Sequence, residues 1–257
     1  MFAHPSVPTL IGPSAWAVST RQNLPVRASD FRPTLIVGPA SSGRAFLARL
    51  LHLQSERAHA PFVPVSCDRL RGALFATQVF GCAADRSVGR PGSLGAIRSA
   101  HGGTILFRNV ERLEPAAQWE LFGYLLNQDV LPCGGAQRFD TDVRVIASCS
   151  TDIFARLRSG TFDLDLYQAL SATRLETVAL QQRAADIVPL AEHFLQARCA
   201  TMQIERALEP SAEAWLTAQS WPGNIGQLRS LMESLATPHG SASIDHETLR
   251  LSARSGR

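Results

Sequence analysis

Lysine is absent from this chain of 257 residues, so all 25 basic residues are arginines, a bias that we attribute to coding rather than function. The 22 acidic residues leave a net charge of only +3, which by itself is too small to indicate a nucleic-acid partner. Long apolar runs are also absent, since no stretch approaches the roughly 20 residues that a membrane-spanning helix needs. The composition therefore indicates neither direct DNA binding nor a membrane location.

Cysteine is scarce, and its spacing does not suggest a metal site. No two of the five cysteines stand in a CxxC arrangement, so we predict reduced, buried thiols without a bound metal. The first 14 residues lack the basic region and apolar core of a secretory signal, which predicts a cytoplasmic protein. The cysteines are Cys67, Cys82, Cys133, Cys149 and Cys199.

Apolar runs of strand length alternate with segments of helical period through the first two thirds of the chain. This alternation predicts an α/β domain with a parallel sheet flanked by helices. Beyond about Asp186 the pattern is purely helical, with Asp186 as the predicted N-cap of a helix through Cys199 and a frayed tail at residues 252–257. The predicted strands are residues 34–37, 62–65, 104–107, 143–147 and 172–175.

Residues 38–45, GPASSGRA, have the GxxxxGK[ST] spacing of a phosphate-binding loop between a predicted strand and a predicted helix. In such a loop, backbone N–H groups and the helix N-terminus bind phosphate oxygens. Arg44 replaces the lysine of the pattern with a planar guanidinium, and Ala45 lacks the hydroxyl that reaches magnesium. A turn rich in glycine and serine is also common without any ligand, so the loop alone leaves both interpretations open.

A series of short motifs follows the phosphate loop along the chain. They are Phe80-Gly81, Gly102-Gly103-Thr104, residues 142–147, Asp165-Leu166-Tyr167, Asp186-Ile187 with residues 190–195, and residues 221–224. In their order and spacing, from residue 10 to about residue 249, the chain resembles the NtrC-type AAA+ domain of sigma-54-dependent transcriptional activators. The resemblance implies a P-loop AAA+ core followed by a small all-helical lid, usually assembled as a ring. The predicted divisions are an N-terminal tail at 1–9, the core at 10–180, the lid at 181–249 and a C-terminal tail at 250–257.

The resemblance also implies where a nucleotide binds. The segment from Leu10 to Gly12 looks like the adenine-contacting start of the domain. We expect ATP or ADP, weakly bound and without a metal. The predicted nucleotide-binding residues are Ile11, Gly12, Gly38, Ser41, Ser42, Gly43, Arg44 and Ala45.

The chain departs from the family at the residues that hydrolyse ATP. The family's Walker B strand ends in Asp-Glu, which hold magnesium and polarise the attacking water, whereas this chain has Arg108 and Asn109. Arginine brings a cation to the position of a divalent metal, so this change opposes catalysis. The sensor asparagine of the family corresponds to Ser150.

Further departures fall on the arginines that the family directs at the nucleotide. The arginines that a neighbouring subunit donates correspond to Asp163 and Ala169, and the lid arginine corresponds to Gly226. Arg229 lies one helical turn further on. We interpret it as part of a solvated helix face, with a partial substitute for the lid arginine as the alternative.

The loop that contacts the sigma factor in the family corresponds to residues 85–90. Its phenylalanine and threonine are replaced by Ser87 and Val88. We therefore predict an ordinary exposed loop and no contact with sigma-54. We also expect no direct DNA binding, because the residues after Leu249 leave no room for a helix-turn-helix.

These replacements predict an inactive or strongly impaired ATPase without catalytic residues. Such a module would regulate transcription through contacts with homologous AAA+ subunits or another transcription regulator. One alternative is an ATP-binding sigma-54-dependent activator that uses Arg44 and unconventional catalytic residues. Another is a decaying duplicate without a retained role.

Overall fold

The computed structural model describes residues 8–84, 91–237 and 242–255. The strands are β1 (Thr34–Val37), β2 (Phe62–Ser66), β3 (Thr104–Arg108), β4 (Asp129–Val130), β5 (Phe139–Asp140), β6 (Arg144–Cys149), β7 (Thr173–Glu176), β8 (Ala207–Leu208) and β9 (Ser243–Ile244). The helices are α1 (Ala15–Ala28), α2 (Arg44–Leu53), α3 (Ala73–Val79), α4 (Ala96–Ser99), α5 (Pro115–Asn127), α6 (Ile153–Arg158), α7 (Leu164–Leu170), α8 (Ile187–Met202), α9 (Pro210–Ala218), α10 (Asn224–Leu235) and α11 (His246–Ser255). Short 3₁₀ segments span Cys67–Arg69, Val110–Arg112 and Leu180–Asp186.

Five parallel strands form the central sheet in the order β2-β3-β6-β1-β7. All four residues of β1 are buried, as expected of a strand with neighbours on both edges and helices on both faces. Thr34 pairs in register with Ile146 on one side and Thr173 on the other. The predicted α/β class and all five predicted strands are confirmed, with shifts of one or two residues at some ends.

The chain forms two compact units. The sheet unit comprises the described residues within 24–38 and 44–177, and the helical unit comprises those within 8–23, 39–43 and 178–255. These divisions differ from the predicted boundaries, because residues 10–23 and the loop 39–43 have most of their contacts with the helical unit rather than with the sheet. A sequence pattern reports local periodicity and gives no information about such distant contacts.

The buried side chain of Arg144, 1% exposed, joins three chain segments of the sheet unit. Its guanidinium donates to the carbonyls of Ala28 at 2.9 Å, Arg27 at 2.9 Å and Leu51 at 3.3 Å. These carbonyls lie near the C-terminal ends of α1 and α2, where the last turn of a helix leaves acceptors free. Burial lowers the pKa of Arg144 to about 10, so the charge is retained at neutral pH.

The helical unit has its own core, to which α8, α9, α10 and α11 each contribute buried side chains. The predicted helical lid is confirmed, and the structure adds a short parallel pair, β8 and β9, between its helices. The predicted tail differs, since α11 continues to Ser255. Leu249 is fully buried and Ala253 packs against the same core, which explains why this segment is helical.

The five cysteines are free thiols that are buried or half-buried. Cys67, Cys149 and Cys199 are buried, and Cys82 and Cys133 are half-buried. In the part of the chain that the structure describes, no helix has both the length and the apolar character needed to cross a membrane.

Candidate functional site

Gly38 follows β1 and begins the predicted phosphate loop. In the sheet unit its N–H donates to the carbonyl of Cys149 at 3.2 Å. A Cβ at this position would lie 2.0 Å from the side-chain oxygen of Thr177, so only glycine fits there. Thr177 was not identified from the sequence, because nothing in its neighbours indicates that it meets residue 38.

The next five residues of the loop are held within the helical unit. Three successive loop carbonyls accept hydrogen bonds, those of Ala40, Ser41 and Ser42. Their donors are the side-chain amide of Asn224 at 3.0 Å, the backbone N–H of Ile225 at 3.1 Å and the guanidinium of Arg183 at 2.6 Å, in that order. The loop therefore depends on partners more than 140 residues away in the chain.

The backbone of this loop is unusual in its dihedral angles. Ser41 has φ of +55° and Gly43 has φ of +105°. Turns with left-handed residues form the concave N–H surfaces that bind anions. Ser42 is fully buried and its hydroxyl donates to the carbonyl of Pro39 at 2.7 Å, so this serine stabilises the turn.

Gly226 occupies the position of the family's lid arginine and allows a close approach. A Cβ there would lie 3.0 Å from Oγ of Ser41, so a larger residue must displace that side chain. Arg229 pairs with Glu233 at 2.7 Å and its side chain is 62% exposed. It therefore forms part of a solvated helix face, as we interpreted it from the sequence.

The predicted adenine-contacting segment also belongs to the helical unit. The guanidinium of Arg21 donates to the carbonyls of Leu10 and Gly12, both at 2.7 Å. Ile11 is partly buried and packs against the core of this unit. These contacts fix the course of the segment, whereas its adenine contact remains a prediction.

Asp186 has a different role from the predicted one. It stands directly before α8, but its carboxylate makes no capping bond to that helix. Instead it accepts from the backbone N–H of Ser14 at 2.8 Å and from its hydroxyl at 2.7 Å, next to the start of α1. Gly12, with φ of +117°, leaves room for this carboxylate, since a Cβ there would lie 2.0 Å from Oδ1.

Arg183 was not identified from the sequence as a site residue. It is 2% exposed, and its guanidinium carbon lies 4.4 Å from the centroid of the Trp16 ring. Burial lowers the pKa of its guanidinium, and Asp186 opposes that shift. Since its other contact is the carbonyl of Ser42, this one side chain connects the loop with the N-terminal segment. Its exposed neighbours Gln182 and Ala184 give no sequence signal for such burial.

In the sheet unit, Arg44 begins α2 and contacts the altered Walker B position. Its Nη2 donates to Oδ1 of Asn109 at 3.2 Å, and the amide of Asn109 donates to Asp68 at 3.3 Å. Asn109 has φ of +58°, in the left-handed region. Nη1 of Arg44 is buried and has no hydrogen-bond partner among the described residues.

Glu111 is a buried carboxylate that the sequence analysis did not identify. It is 2% exposed, and Oε1 accepts from the backbone N–H of Ser150 at 3.0 Å. Oε2 of Glu111 and Oγ of Ser150 are both buried without a partner in the described part of the chain. Burial lowers the pKa of Arg44, and Glu111 opposes this effect.

The residues at the end of β3 do not fit a magnesium ion. Arg108 and Asn109 provide a cation and an amide in place of two carboxylates, and Ala45 at the start of α2 has no hydroxyl. Among the residues that the structure describes, no group of three His, Cys, Asp or Glu side chains is suitably arranged for a metal. Magnesium requires oxygen ligands, such as those of carboxylates and phosphates.

Asp163 and Ala169, at the positions of the donated arginines, belong to ordinary helix structure. Oδ1 of Asp163 accepts from the N–H of Leu166 at 2.8 Å and caps α7. Ala169 lies half-buried within the same helix. Neither residue has a side chain able to reach a phosphate as an arginine does.

The predicted sigma-factor loop, including Ser87 and Val88, lies outside the described residues. Its flanks are held together, because Cys82 and Ser93 exchange two backbone hydrogen bonds of 3.0 and 2.9 Å.

The predicted nucleotide-binding residues thus fall into two groups. Gly38, Arg44 and Ala45 belong to the sheet unit. Ile11, Gly12, Ser41, Ser42 and Gly43 belong to the helical unit, where Arg183 binds the carbonyl of Ser42 and the N–H of Ile225 binds that of Ser41.

Two family models match the chain. Residues 10–176 match the Sigma-54 interaction domain, and residues 181–257 match the AAA+ ATPase lid domain. The two matches together cover nearly the whole chain.

Curated relatives agree with these matches. The chain is 31% identical to the sigma54-dependent transcriptional regulator SfnR of Pseudomonas fluorescens over 85% of this chain and 60% of that protein. It is 32% identical to the regulatory protein AtoC of Escherichia coli over 84% of this chain and 47% of that protein. The chain therefore spans about half to three fifths of the length of these relatives.

Solved structures of NtrX from Brucella abortus share the fold. The structure in complex with ADP has a TM-score of 0.84 and 30% identity, over 93% of this chain and 54% of that one. The structure in complex with ATP has a TM-score of 0.84 and 30% identity, over 93% and 53%.

These matches correct one expectation. We predicted no contact with sigma-54, because Ser87 and Val88 replace the family's phenylalanine and threonine. The match to the Sigma-54 interaction domain over residues 10–176, and to relatives described as sigma54-dependent regulators, overturns that prediction. Two side chains of one loop were an insufficient basis for it, since the match extends through most of the chain.

Proposed function

The chain belongs to the Sigma-54 interaction domain family, with an AAA+ ATPase lid, and on that basis we propose a nucleotide-binding module that regulates sigma-54-dependent transcription and hydrolyses ATP poorly or not at all. One observation carries the proposal. Arg108 and Asn109 end β3 where metal-binding and water-polarising carboxylates are required, and Asn109 is bound to Arg44. We also propose a cytoplasmic location.

The expected loss of rate is large. Removing one group that stabilises the transition state typically costs about 10²–10³ in rate. An arginine donated by a neighbouring subunit contributes roughly 10³–10⁵. These factors are not additive, because the groups act as a unit. Even two such losses would still leave turnover too slow for a working motor.

Nucleotide binding is supported separately from hydrolysis. The predicted loop keeps the backbone features of a phosphate site, including the required glycine at 38 and the left-handed residues 41 and 43. NtrX from Brucella abortus, which is similar in fold and sequence, has been solved with ADP and with ATP. We propose weak binding of ATP or ADP without magnesium, since Ala45 and Arg108 cannot organise the metal.

The proposed regulation depends on the arginines that this module lacks at the positions from which the family donates them to a neighbouring subunit. A subunit with Asp163 and Ala169 donates no arginine to a neighbouring site. When it joins an active homologue, that neighbour's site stays incomplete. We therefore propose that the chain inhibits or tunes an active homologue more than it stimulates transcription.

Steady-state ATP hydrolysis by the purified protein tests the catalytic part. We expect no turnover above background, with or without magnesium. Gly43→Val, which places a β-branched residue at a φ of +105° and so strains the loop, serves as the control for a contaminating ATPase. Magnesium-dependent turnover of about one per second, an ordinary enzymatic rate, that disappears in Gly43→Val would refute the proposal.

In vitro transcription from a sigma-54 promoter tests the regulatory part. The protein alone should form no open complexes, and titration into an active homologue should reduce that homologue's output. Open complexes formed by this protein alone would contradict the proposal. An unchanged output, together with no binding to the homologue, would also contradict it.

A working ATPase with unconventional residues is the second candidate, and Glu111 is the observation that favours it. This carboxylate is buried beside Ser150, and Oε2 has no partner among the described residues, so a water molecule could be its ligand. If Glu111 polarises water in place of Asn109, the wild type should hydrolyse ATP and Glu111→Gln should not. Equal rates in both proteins would exclude this role.

A further inference from the structure

Two arginines of the sheet unit, Arg44 and Arg108, lie near the carboxyl end of β3. Arg108 is exposed, and its side chain makes no hydrogen bond or ion pair with any residue that the structure describes. Arg44 uses Nη2 to bind Asn109, while its buried Nη1 has no partner in the same set of residues. Both guanidinium groups thus retain capacity to donate hydrogen bonds.

The strand alternation explains why they are neighbours. Thr104, Leu106 and Arg108 point to the same face of the sheet, because side chains alternate along a strand. Nδ1 of His52, in α2, lies 3.0 Å from Oγ1 of Thr104, so α2 covers that face. Arg44 is the first residue of α2 and therefore lies at the end of the strand where Arg108 emerges. Arg108 also lowers the pKa of Arg44, as a nearby cation does.

Two acidic groups lie near this pair, and Glu111 binds the backbone through one oxygen only, since its Oε2 has no partner among the described residues. Glu111 is buried and accepts from the backbone of Ser150, and Asp68 accepts from the amide of Asn109. Neither forms an ion pair with Arg108 within the described residues. Two guanidinium groups near the same strand end repel a divalent cation and attract an anion, and planar guanidinium groups bind phosphate in a bidentate manner.

We propose that Arg108, together with Arg44, supplies the positive charge that a divalent metal supplies in a metal-dependent nucleotide site, so that this chain selects metal-free polyphosphate. Arg108 is then a specificity-determining residue for the phosphate groups. The ligand class is a di- or triphosphate without magnesium, either the tail of a nucleotide or inorganic pyrophosphate. The inference rests on the nucleotide binding of the proposed function.

Isothermal calorimetry on the full chain tests the metal preference. The probes are ATP in EDTA, ATP in excess magnesium, and pyrophosphate in EDTA. ATP in EDTA should bind about tenfold more tightly than ATP with magnesium. Magnesium neutralises part of the negative charge of the phosphates, so one charge-assisted hydrogen bond to an arginine would be lost. Pyrophosphate that binds as tightly as ATP would identify free polyphosphate as the ligand, and binding of ATP alone would identify the nucleotide.

Variants at the strand end test the residue. Arg108→Ala should weaken the binding of ATP in EDTA by about 10- to 100-fold. Arg112→Ala removes the same charge from an exposed residue four positions further on and should change affinity by about twofold or less, because screened charges act weakly. Arg108→Asp should reverse the preference, so that magnesium promotes binding. Thermal unfolding of each variant checks that it is folded.

Three outcomes would overturn the inference. These are tighter binding with magnesium in the wild type, equal losses in Arg108→Ala and Arg112→Ala, or no binding of either probe. The first two outcomes would leave the proposed nucleotide binding intact, whereas the third would overturn that proposal as well; the loss of catalysis is measured by the hydrolysis assay and the regulatory role by the transcription titration. The proposed loss of catalysis is therefore judged by separate results.

Discussion

The helical unit and the sheet unit differ in how fully their buried polar groups are hydrogen-bonded at the predicted nucleotide-binding residues and the neighbouring strand ends. In the helical unit, residues 40–42 each have their carbonyl bound by a specific partner, and Asp186 holds Ser14 with both oxygens. In the sheet unit, the strand ends carry Arg44, Glu111 and Ser150, each with a buried polar atom that has no partner among the described residues. Among the described residues of the helical unit, Nε of Arg183 is in the same state, so the two regions differ in number: three such atoms lie at the strand ends and one lies next to the loop.

This difference indicates which property the chain has kept. A buried polar atom without a partner costs about 1–3 kcal/mol, so a protein under pressure for stability alone would replace such groups. The scaffold is not free of such atoms, since Nε of Arg144 and Nε of Arg183 are also buried without a partner among the described residues. The contrast predicts that substitutions in the loop's surroundings affect folding, and that substitutions at the strand end affect ligands.

The largest effect is expected for Gly12→Ala in the helical unit. The new Cβ would lie 2.0 Å from Oδ1 of Asp186, at a backbone φ of +117°. We expect a loss of about 2–5 kcal/mol in the free energy of unfolding, since overpacking and a left-handed backbone each cost roughly 1–3 kcal/mol. Urea unfolding measures it.

Gly123→Ala is the matched control for this substitution. Gly123 lies inside α5, where an added methyl group would meet no other atom within 4 Å and φ is not positive. Alanine should stabilise the helix there by about 0.5–1 kcal/mol. If both variants lose the same stability, the close approach of Asp186 to Gly12 has no special importance.

Arg183→Met should have the next largest effect. It removes the charged hydrogen bond to the carbonyl of Ser42 and the contact with Trp16, while it keeps much of the side-chain volume. We expect a loss of about 1.5–3 kcal/mol, the usual contribution of a hydrogen bond to a charged group. Arg229→Met, on the exposed face of α10, should cost about 0.5 kcal/mol or less. Similar losses in the two variants would contradict the comparison.

Acid sensitivity tests a well-satisfied group in the sheet unit. The pKa of Asp30 is held far below its ordinary value of 3.8, first by Arg32 and then by Thr173. Because the folded-state pKa is depressed, the stabilisation is present above about pH 4 and is lost as the pH falls through the folded-state pKa. Asp30→Asn should therefore flatten the decline of stability below pH 4. A decline as steep as in the wild type would show that other groups cause it.

The smallest effect on folding is expected for Arg108→Ala. Arg108 is exposed, and its side chain has no hydrogen-bond partner in the part of the chain that the structure describes. The free energy of unfolding should change by about 0.5 kcal/mol or less, as at other exposed sites. The same variant should lose much of its affinity for metal-free ATP. A large loss of stability would mean that Arg108 is part of the scaffold.

Much of the fold followed from local patterns. The buried run of β1 and the alternating strands and helices predicted the parallel sheet, because hydrophobic periodicity reflects burial directly. The end of α11 did not follow. Residues 252–255 read as polar and tail-like, but Leu249 and Ala253 have a core to pack against, which local composition does not reveal.

For the candidate site, the spacing of residues 38–45 located the loop, and the order of the motifs predicts that Arg108 and Asn109 are replacements. The sequence could not show the burial of Glu111 next to the exposed Arg112, since both are charged residues in one short turn. Nor could it show that Asn224 and Arg183 bind the loop. Each depends on which distant backbone groups a side chain meets.

The sequence by itself thus determined the family, the positions of the main strands along the chain and the position of the loop, and it predicts the loss of the Walker B carboxylates. These properties depend on residue identity, spacing and local periodicity. Only the tertiary structure decided that Asp186 binds Ser14 rather than capping its own helix, that Gly226 lies against Ser41, and that Arg44 binds Asn109. A polar side chain takes the partner that the folded chain brings within about 3 Å, and that distance is fixed only when remote segments pack together.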